Sequence, residues 1–282
     1  MHEWPLIIFT LLVQGSVGLT VFTAIAMMSA SRTLNVKQKQ SAGLPAMLAA
    51  FITGALGLMA STAHLGYPLN AFHALTHIGS SWLSREIVFA SLYLAVLGLA
   101  TLIALFKKRV IPFMLLIASL LGIIDSFCMS AIYVHAWVVT WMHFNTYVMF
   151  FGSTLSLGAV AALWAFANAS RLQAQPLRAV MVTAVLVLVG VTLVRLLEQP
   201  LYMSYLANAG ISDVVTLPHQ PLAAFKEQSV LRLTAWIALV AGSCLLAVSL
   251  RSARIPKALL ALGGGLVLLA EILLRFSFFS IN

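Results

Sequence analysis

Charge is what this chain has least of. Only 8% of its 282 residues are charged, where a soluble protein carries roughly 25%, and that shortfall excludes a soluble globular domain. Acidic residues are scarcest, with 7 Asp and Glu against 16 Lys and Arg. The net charge of +9 is scattered over short connections, so it reads as topology signal and headgroup contact rather than as a nucleic-acid surface. Cysteine is nearly missing. Cys128 and Cys244 fall inside apolar runs without metal-ligand spacing and read as small apolar fillers. No Cys-x-x-Cys-His motif exists to attach haem. The start, Met1-His2-Glu3-Trp4-Pro5, lacks a basic region, so no cleaved signal peptide is expected. There is no hydrophilic stretch long enough for a soluble domain, and no internal repeat.

What is present is apolar length. Crossing a hydrocarbon core of roughly 30 Å takes about 20 apolar residues of helix. Runs of that kind lie near 5–29, 44–64, 85–106, 112–133, 144–168, 178–198, 230–250 and 257–279. The expected fold is all-α: a polytopic membrane protein with eight transmembrane helices, forming a single transmembrane domain over 1–282. Strands are excluded because runs this long and evenly apolar do not alternate as barrel strands do. Pro5, Pro112 and Pro256 stand at or just before helix starts, and Gly54, Gly57 and Gly263 to Gly265 allow close helix packing.

The few charges orient the bundle. Arg32, Lys37 and Lys39 follow the first span, and Lys107, Lys108 and Arg109 the third. Arg171 and Arg178 follow the fifth, and Arg251, Arg254 and Lys257 the seventh. By the positive-inside rule these four connections face the cytoplasm, and both termini lie outside. The opposite connections hold at most Arg85, Lys226 and Arg232, together with most of the seven histidines.

On that outer side runs His64-Leu65-Gly66-Tyr67-Pro68-Leu69-Asn70-Ala71-Phe72-His73, continuing past His77 to Arg85-Glu86. It is too apolar for a solvated loop, so it belongs in the interface or beneath a partner. Chemistry at this depth suits a quinol, whose oxidation needs a hydrogen-bond acceptor, a proton acceptor and an outlet to water. His64 fits the first role. Glu86, at the edge of the third span, fits the second. The plainer alternative is that Arg85 and Glu86 cap the third span. Deeper in the bilayer Asp125 has no partner on its own helix, and ionisable groups at such depth are costly and often functional. Glu271 with Arg275, and Arg195 with Glu198, are expected to pair along their own helices; Asp125 and Glu271 are candidates for a proton relay. Haem would require facing histidines inside helices. Only His64 and His143 approach helix ends, so two stacked haems are not expected, a single haem at the outer surface is the one arrangement left open by placement, and no metal site is expected.

Three stretches carry a resemblance. His2-Glu3-Trp4-Pro5-Leu6-Ile7-Ile8-Phe9-Thr10, then His64-Leu65-Gly66-Tyr67-Pro68 with Ala71-Phe72, then Leu83-Ser84-Arg85-Glu86-Ile87 together resemble the membrane anchor subunit of dimethyl sulfoxide reductase. Weaker echoes are Leu121-Gly122, Thr140-Trp141 and Leu269-Ala270-Glu271 with Arg275. The resemblance implies a haem-free anchor in the bacterial cytoplasmic membrane, carrying a four-cluster iron–sulfur subunit and a molybdopterin catalytic subunit on the periplasmic side. It implies menaquinol oxidation near the periplasmic face in anaerobic respiration, with His64 and Glu86 catalytic, and with Gly66, Tyr67, Asn70, Phe72 and Arg85 around the quinol. Iron–sulfur clusters and molybdopterin would belong to the partners alone. Asn70 stands where the family commonly has arginine, and Ala74 where it has serine, so any role of that arginine does not carry over. The rival readings are a secondary transporter, expected to show an inverted repeat and interrupted helices, and a purely structural anchor without quinol chemistry. The terminal acceptor is a property of the catalytic partner, and nothing in this sequence selects it.

Overall fold

The computed structural model describes residues 4–64, 77–169, 175–209, 218–252 and 256–281, without the side chains of 63, 64, 168 and 169. Among the described residues there are nine helices and no strand: α1 Trp4–Ser29, α2 Val36–His64, α3 Trp82–Phe106, α4 Pro112–Val134, α5 Phe144–Ala169, α6 Gln175–Asn208, α7 Pro221–Glu227, α8 Ser229–Ser249 and α9 Lys257–Ser280. All but α7 are long and apolar enough to cross a membrane, with mean hydropathy between 1.7 and 2.5. Eight of the nine therefore match the eight expected runs.

Local chemistry sets the helix ends, and two ends depart from expectation. α2 starts at Val36 rather than near 44, because Asn35 and Gln38 form a reciprocal capping box. The Asn35 N–H donates to Gln38 Oε1 at 3.0 Å, and the Gln38 N–H donates to Asn35 Oδ1 at 2.9 Å. Lys37 and Lys39 thus ride on the first turns of a helix, and Pro45 lies inside it. α6 runs ten residues beyond 198, through Pro200, to Asn208. α3 begins where Ser81 accepts the Ser84 N–H at 3.4 Å. Pro112 opens α4, where its missing N–H needs no partner.

α1 is the axis of the bundle. It touches α2, α4, α5, α6 and α9, and 72% of its apolar window is buried. Lipid tails are as apolar as leucine, so close backbone packing rather than hydrophobic burial holds such helices together. The tightest crossing is α1 on α5 at Gly18 and Gly158. A Cβ on Gly18 would overlap the Thr154 carbonyl oxygen and approach the Gly158 Cα to 2.7 Å. The buried hydroxyls of Thr20 and Thr23 on α1 return to their own helix, to Ser16 O at 2.9 Å and to Leu19 O at 2.7 Å, as hydroxyls away from water do.

Aromatic side chains close the end opposite the basic connections. Tyr133, Trp141, Phe150, Phe278 and Phe279 pack ring on ring at centroid separations from 5.2 to 6.3 Å. The α4–α5 connection is pinned there. Trp141 Nε1 donates to Phe278 O at 2.9 Å, Thr140 Oγ1 to Ile281 O at 2.6 Å, and Tyr202 OH to Thr140 O at 2.6 Å.

Candidate functional site

The expected site divides into a part that the structure describes and a part that it does not. His64 is the last residue of α2, but its side chain lies outside the described residues, as do Gly66, Tyr67, Asn70 and Phe72. Arg85 and Glu86, on the first turn of α3, are described, and they point different ways.

Arg85 turns outward and holds the approach to its own helix. Its Nε donates to Ile78 O at 2.9 Å and an Nη to Gly79 O at 2.7 Å, with the guanidinium 4.2 Å over the Trp82 ring. The capping alternative therefore fits Arg85. Trp82 in turn stands edge-on to Phe127 and 5.5 Å from the His135 ring.

Glu86 turns inward. It is 4% exposed, four residues into α3, about 6 Å along the axis at 1.5 Å per residue. Among the described residues its carboxyl has no hydrogen-bond partner. Asp125 on α4 is 0% exposed, and neither carboxyl oxygen has a partner. It lies nine residues from the end of α4, about 14 Å along the axis, on the helix that packs against α3. Two turns further along the same face of α3, the Tyr93 hydroxyl meets Ser16 Oγ at 2.7 Å and Thr20 Oγ1 at 2.9 Å on α1. Glu86, Asp125 and Tyr93 form a buried polar file between α3, α4 and α1.

A second polar centre occupies the other half of the bundle, and its pairing differs from expectation. Glu271 does not pair with Arg275 along α9, nor Arg195 with Glu198 along α6. Arg195 crosses from α6 to Glu271, its Nη1 donating to Oε1 at 2.6 Å, with both groups 0% exposed. Nη2 donates to Met149 O at 2.5 Å and to Ser153 Oγ at 3.0 Å. Ser153 Oγ also donates to Glu271 Oε2 at 2.7 Å. Arg275 reaches Gln14 Oε1 on α1 at 2.6 Å and Ser153 Oγ at 3.0 Å, and stacks 3.9 Å over Phe150. Two guanidinium groups and one carboxylate thus share a buried centre. Residues at i, i+4 lie on one face, so both side chains turn toward the same neighbours rather than toward each other. Glu271 stands nine residues before the end of α9, Ser153 nine after the start of α5, and Gln14 ten after the start of α1. Each is about 14–15 Å from its helix end. Gln14 and Ser153 were not among the expected site residues, and that common depth is the sequence signal that could have found them.

Glu198 goes instead to the α4–α5 connection, its Oε1 3.4 Å from His143 Nδ1. The same nitrogen accepts the Asn145 N–H at 3.1 Å, so it carries no proton and the contact is not an ion pair. Burial holds the His143 imidazole below its usual range, in keeping with a neutral ring stacked 4.6 Å from Tyr205. Among the described residues no three His, Cys, Asp or Glu side chains gather as metal ligands would.

Comparison with known proteins adds the lineage. Residues 1–281 match the family model described as DMSO reductase anchor subunit (DmsC). The sequence is 36% identical over 164 residues to a protein of Escherichia coli (strain K12) named anaerobic dimethyl sulfoxide reductase chain YnfH, covering 57% of this protein and 56% of that one. It is 32% identical over 163 residues to a second anaerobic dimethyl sulfoxide reductase chain of the same strain, covering 55% and 56%. With an anaerobic dimethyl sulfoxide reductase chain of Haemophilus influenzae it shares 30% over 171 residues, 58% of each. The matched segments thus span somewhat more than half the length of these curated relatives. No solved structure matches.

Proposed function

The chain belongs to the DMSO reductase anchor subunit family, and from that premise we propose that it is a haem-free membrane anchor that oxidises menaquinol beneath its partner subunits. The partners are a four-cluster iron–sulfur protein, which takes the electrons, and a molybdopterin catalytic subunit. Both sit on the periplasmic side of the bacterial cytoplasmic membrane. The four connections rich in Lys and Arg support that orientation, with both termini periplasmic and residues 1–282 as one transmembrane domain.

The observation that carries the reading is Glu86. It is a buried carboxyl without a partner among the described residues, on the first turn of α3, at the end of the bundle away from the basic connections. It follows directly on the connection that begins at His64. A quinol hydroxyl is the kind of donor that such a carboxyl lacks. His64 accepts a hydrogen bond from one hydroxyl, Glu86 takes the proton, and outer water receives it. Gly66, Tyr67, Asn70 and Phe72 surround the ring in this reading, and Arg85, held by Ile78 O and Gly79 O, orders the end of the same connection. Asp125 is the relay group behind the ring, whereas Glu271, tied to Arg195 and Ser153, belongs to the second polar centre. Each quinol yields a quinone, two protons released outside and two electrons consumed outside, so turnover separates no charge across the membrane.

The test is quinol oxidation by the assembled complex carrying His64→Ala beside wild type, with an artificial donor feeding the iron–sulfur subunit directly. Loss of quinol turnover with the artificial donor still working supports the reading. Undiminished quinol turnover overturns it and leaves a structural anchor.

A further inference from the structure

A hollow of about 740 Å³ opens on the membrane-facing side of α5, between α4 and α6. Its volume is that of a small-molecule site. Phe127, Phe144, Tyr147 and Phe151 line it, with Gly190 and Arg195. Phe144 and Phe127 are 67% and 40% exposed, so the mouth faces lipid. The space is written into the sequence: a Cβ on Gly190 would meet nothing within 4 Å.

Arg195 gives the hollow a polar point. Its two terminal nitrogens are engaged by Glu271, Ser153 and the Met149 carbonyl. Its Nε has no partner, although the residue is 0% exposed. Gly152, also in the lining, covers that nitrogen with no side chain, and a Cβ there would overlap Nε. An N–H donor is therefore left over beside an aromatic, lipid-facing hollow.

Depth selects what meets it. Gly152 stands eight residues into α5, about 12 Å along the axis, in a hydrocarbon core whose half-thickness is about 15 Å. Phospholipid ester and phosphate oxygens stay near the headgroups, and acyl tails carry no acceptor. An oxygen that travels this deep belongs to a molecule dissolved wholly in the bilayer. A quinone ring brings a carbonyl oxygen, a flat face for Phe127, Tyr147 and Phe151, and a prenyl tail that dissolves in lipid.

We propose that this cleft is a quinone-binding site in which a ring carbonyl accepts the free Nε–H of Arg195. Its lining comes from α4, α5 and α6 and does not include Glu86, so it stands whether or not the outer-face reading holds. Asp125 points into the bundle on α4, while Phe127, two residues on, faces the cleft.

The experiment is equilibrium binding of a menaquinone with a short prenyl tail to the full-length protein in lipid nanodiscs, comparing wild type with Gly190→Leu, Leu186→Phe and Glu86→Gln. Gly190→Leu fills open space in the cleft, whereas Leu186 is 66% exposed on the same helix outside the lining. The expected result is a loss of about tenfold or more in affinity at one site in Gly190→Leu, with that site retained in Leu186→Phe and in Glu86→Gln. Unaltered binding in Gly190→Leu overturns the proposal. So does binding abolished by Glu86→Gln alone, which assigns all quinone to the outer face. Displacement of the probe from wild type by added phosphatidylglycerol overturns it too, since the cleft then takes acyl tails.

Discussion

Removing the carboxylate of Glu271 tests the buried centre most directly. In Glu271→Gln, Arg195 loses its 2.6 Å charge-assisted bond, and Ser153 loses the acceptor it meets at 2.7 Å. Two guanidinium groups, both bonded to the same Ser153 oxygen at 3.0 Å, then face each other without a counter-charge. Breaking a buried ion pair by deleting one partner costs about 3–5 kcal/mol, whereas replacing both members with apolar groups of similar volume is often close to neutral. The expected order of stability is therefore wild type, then the double variant Arg195→Met/Glu271→Met, with Glu271→Gln lowest. The coupling between the two sites should be about 2 kcal/mol or more, in the upper part of the range for residues in direct contact. Cys128 supplies the probe. It is buried, while Cys244 is exposed, so in a Cys244→Ala background a thiol-reactive dye reports the opening of α4 in a detergent unfolding titration. Simple additivity of Arg195→Met and Glu271→Met in their double variant would refute the reasoning, as would a Glu271→Gln variant within about 0.5 kcal/mol of wild type.

Other expectations are shorter to state. Gly158→Leu should force α1 from α5, because the Gly18 backbone occupies the place of its side chain, and should lower folded yield sharply. Gly265→Leu, which meets nothing within 4 Å at its Cβ, should leave yield unchanged in size-exclusion chromatography. Trp141→Phe removes the 2.9 Å bond to Phe278 O and should destabilise by about 1 kcal/mol in the same dye titration. His143 is held below the ordinary imidazole value of 6.5, so the unfolded protein binds the proton more readily. Its contribution should be present above about pH 6.5 and fade as pH falls through the folded value. Unfolding titrations between pH 8 and 5 should show that slope in wild type and a flatter one in His143→Phe.

Much of this fold is readable from apolar run length alone, because the bilayer permits little besides helices at that length. The ends were harder. Gln38, Lys39 and Gln40 look like solvated connection, yet the Asn35–Gln38 box makes them helical. Glu198-Gln199-Pro200 reads as a stop, yet α6 passes through it, because the packing of Tyr202 and Leu206 on Phe225 and Ile281 offsets the lost donor and the crowding of the Pro200 ring. Pairing was harder again. Spacing along one helix identifies a shared face but not what lies opposite, and the partners of Arg195 and Arg275 come from α9, α5 and α1. Glu86 was legible as an ionisable group at a span edge. Its neighbour Asp125 belongs to another helix, and only packing brings the two together.

The length of α6 has a mechanical consequence. Thirty-four helical residues measure about 51 Å at 1.5 Å each, well beyond a hydrocarbon core of roughly 30 Å. The surplus is braced where Tyr202 and Leu206 pack on Phe225 and Ile281, and where Tyr205 OH holds Val139 O at 3.1 Å. It behaves as a strut of fixed height and fixed rotation. A single residue inserted ahead of Tyr202 would raise the tip by about 1.5 Å and turn it by about 100°, swinging Tyr205 away from His143. Anything seated on that tip is thereby indexed, in angle and in elevation, to the polar centre that Arg195 anchors two turns below.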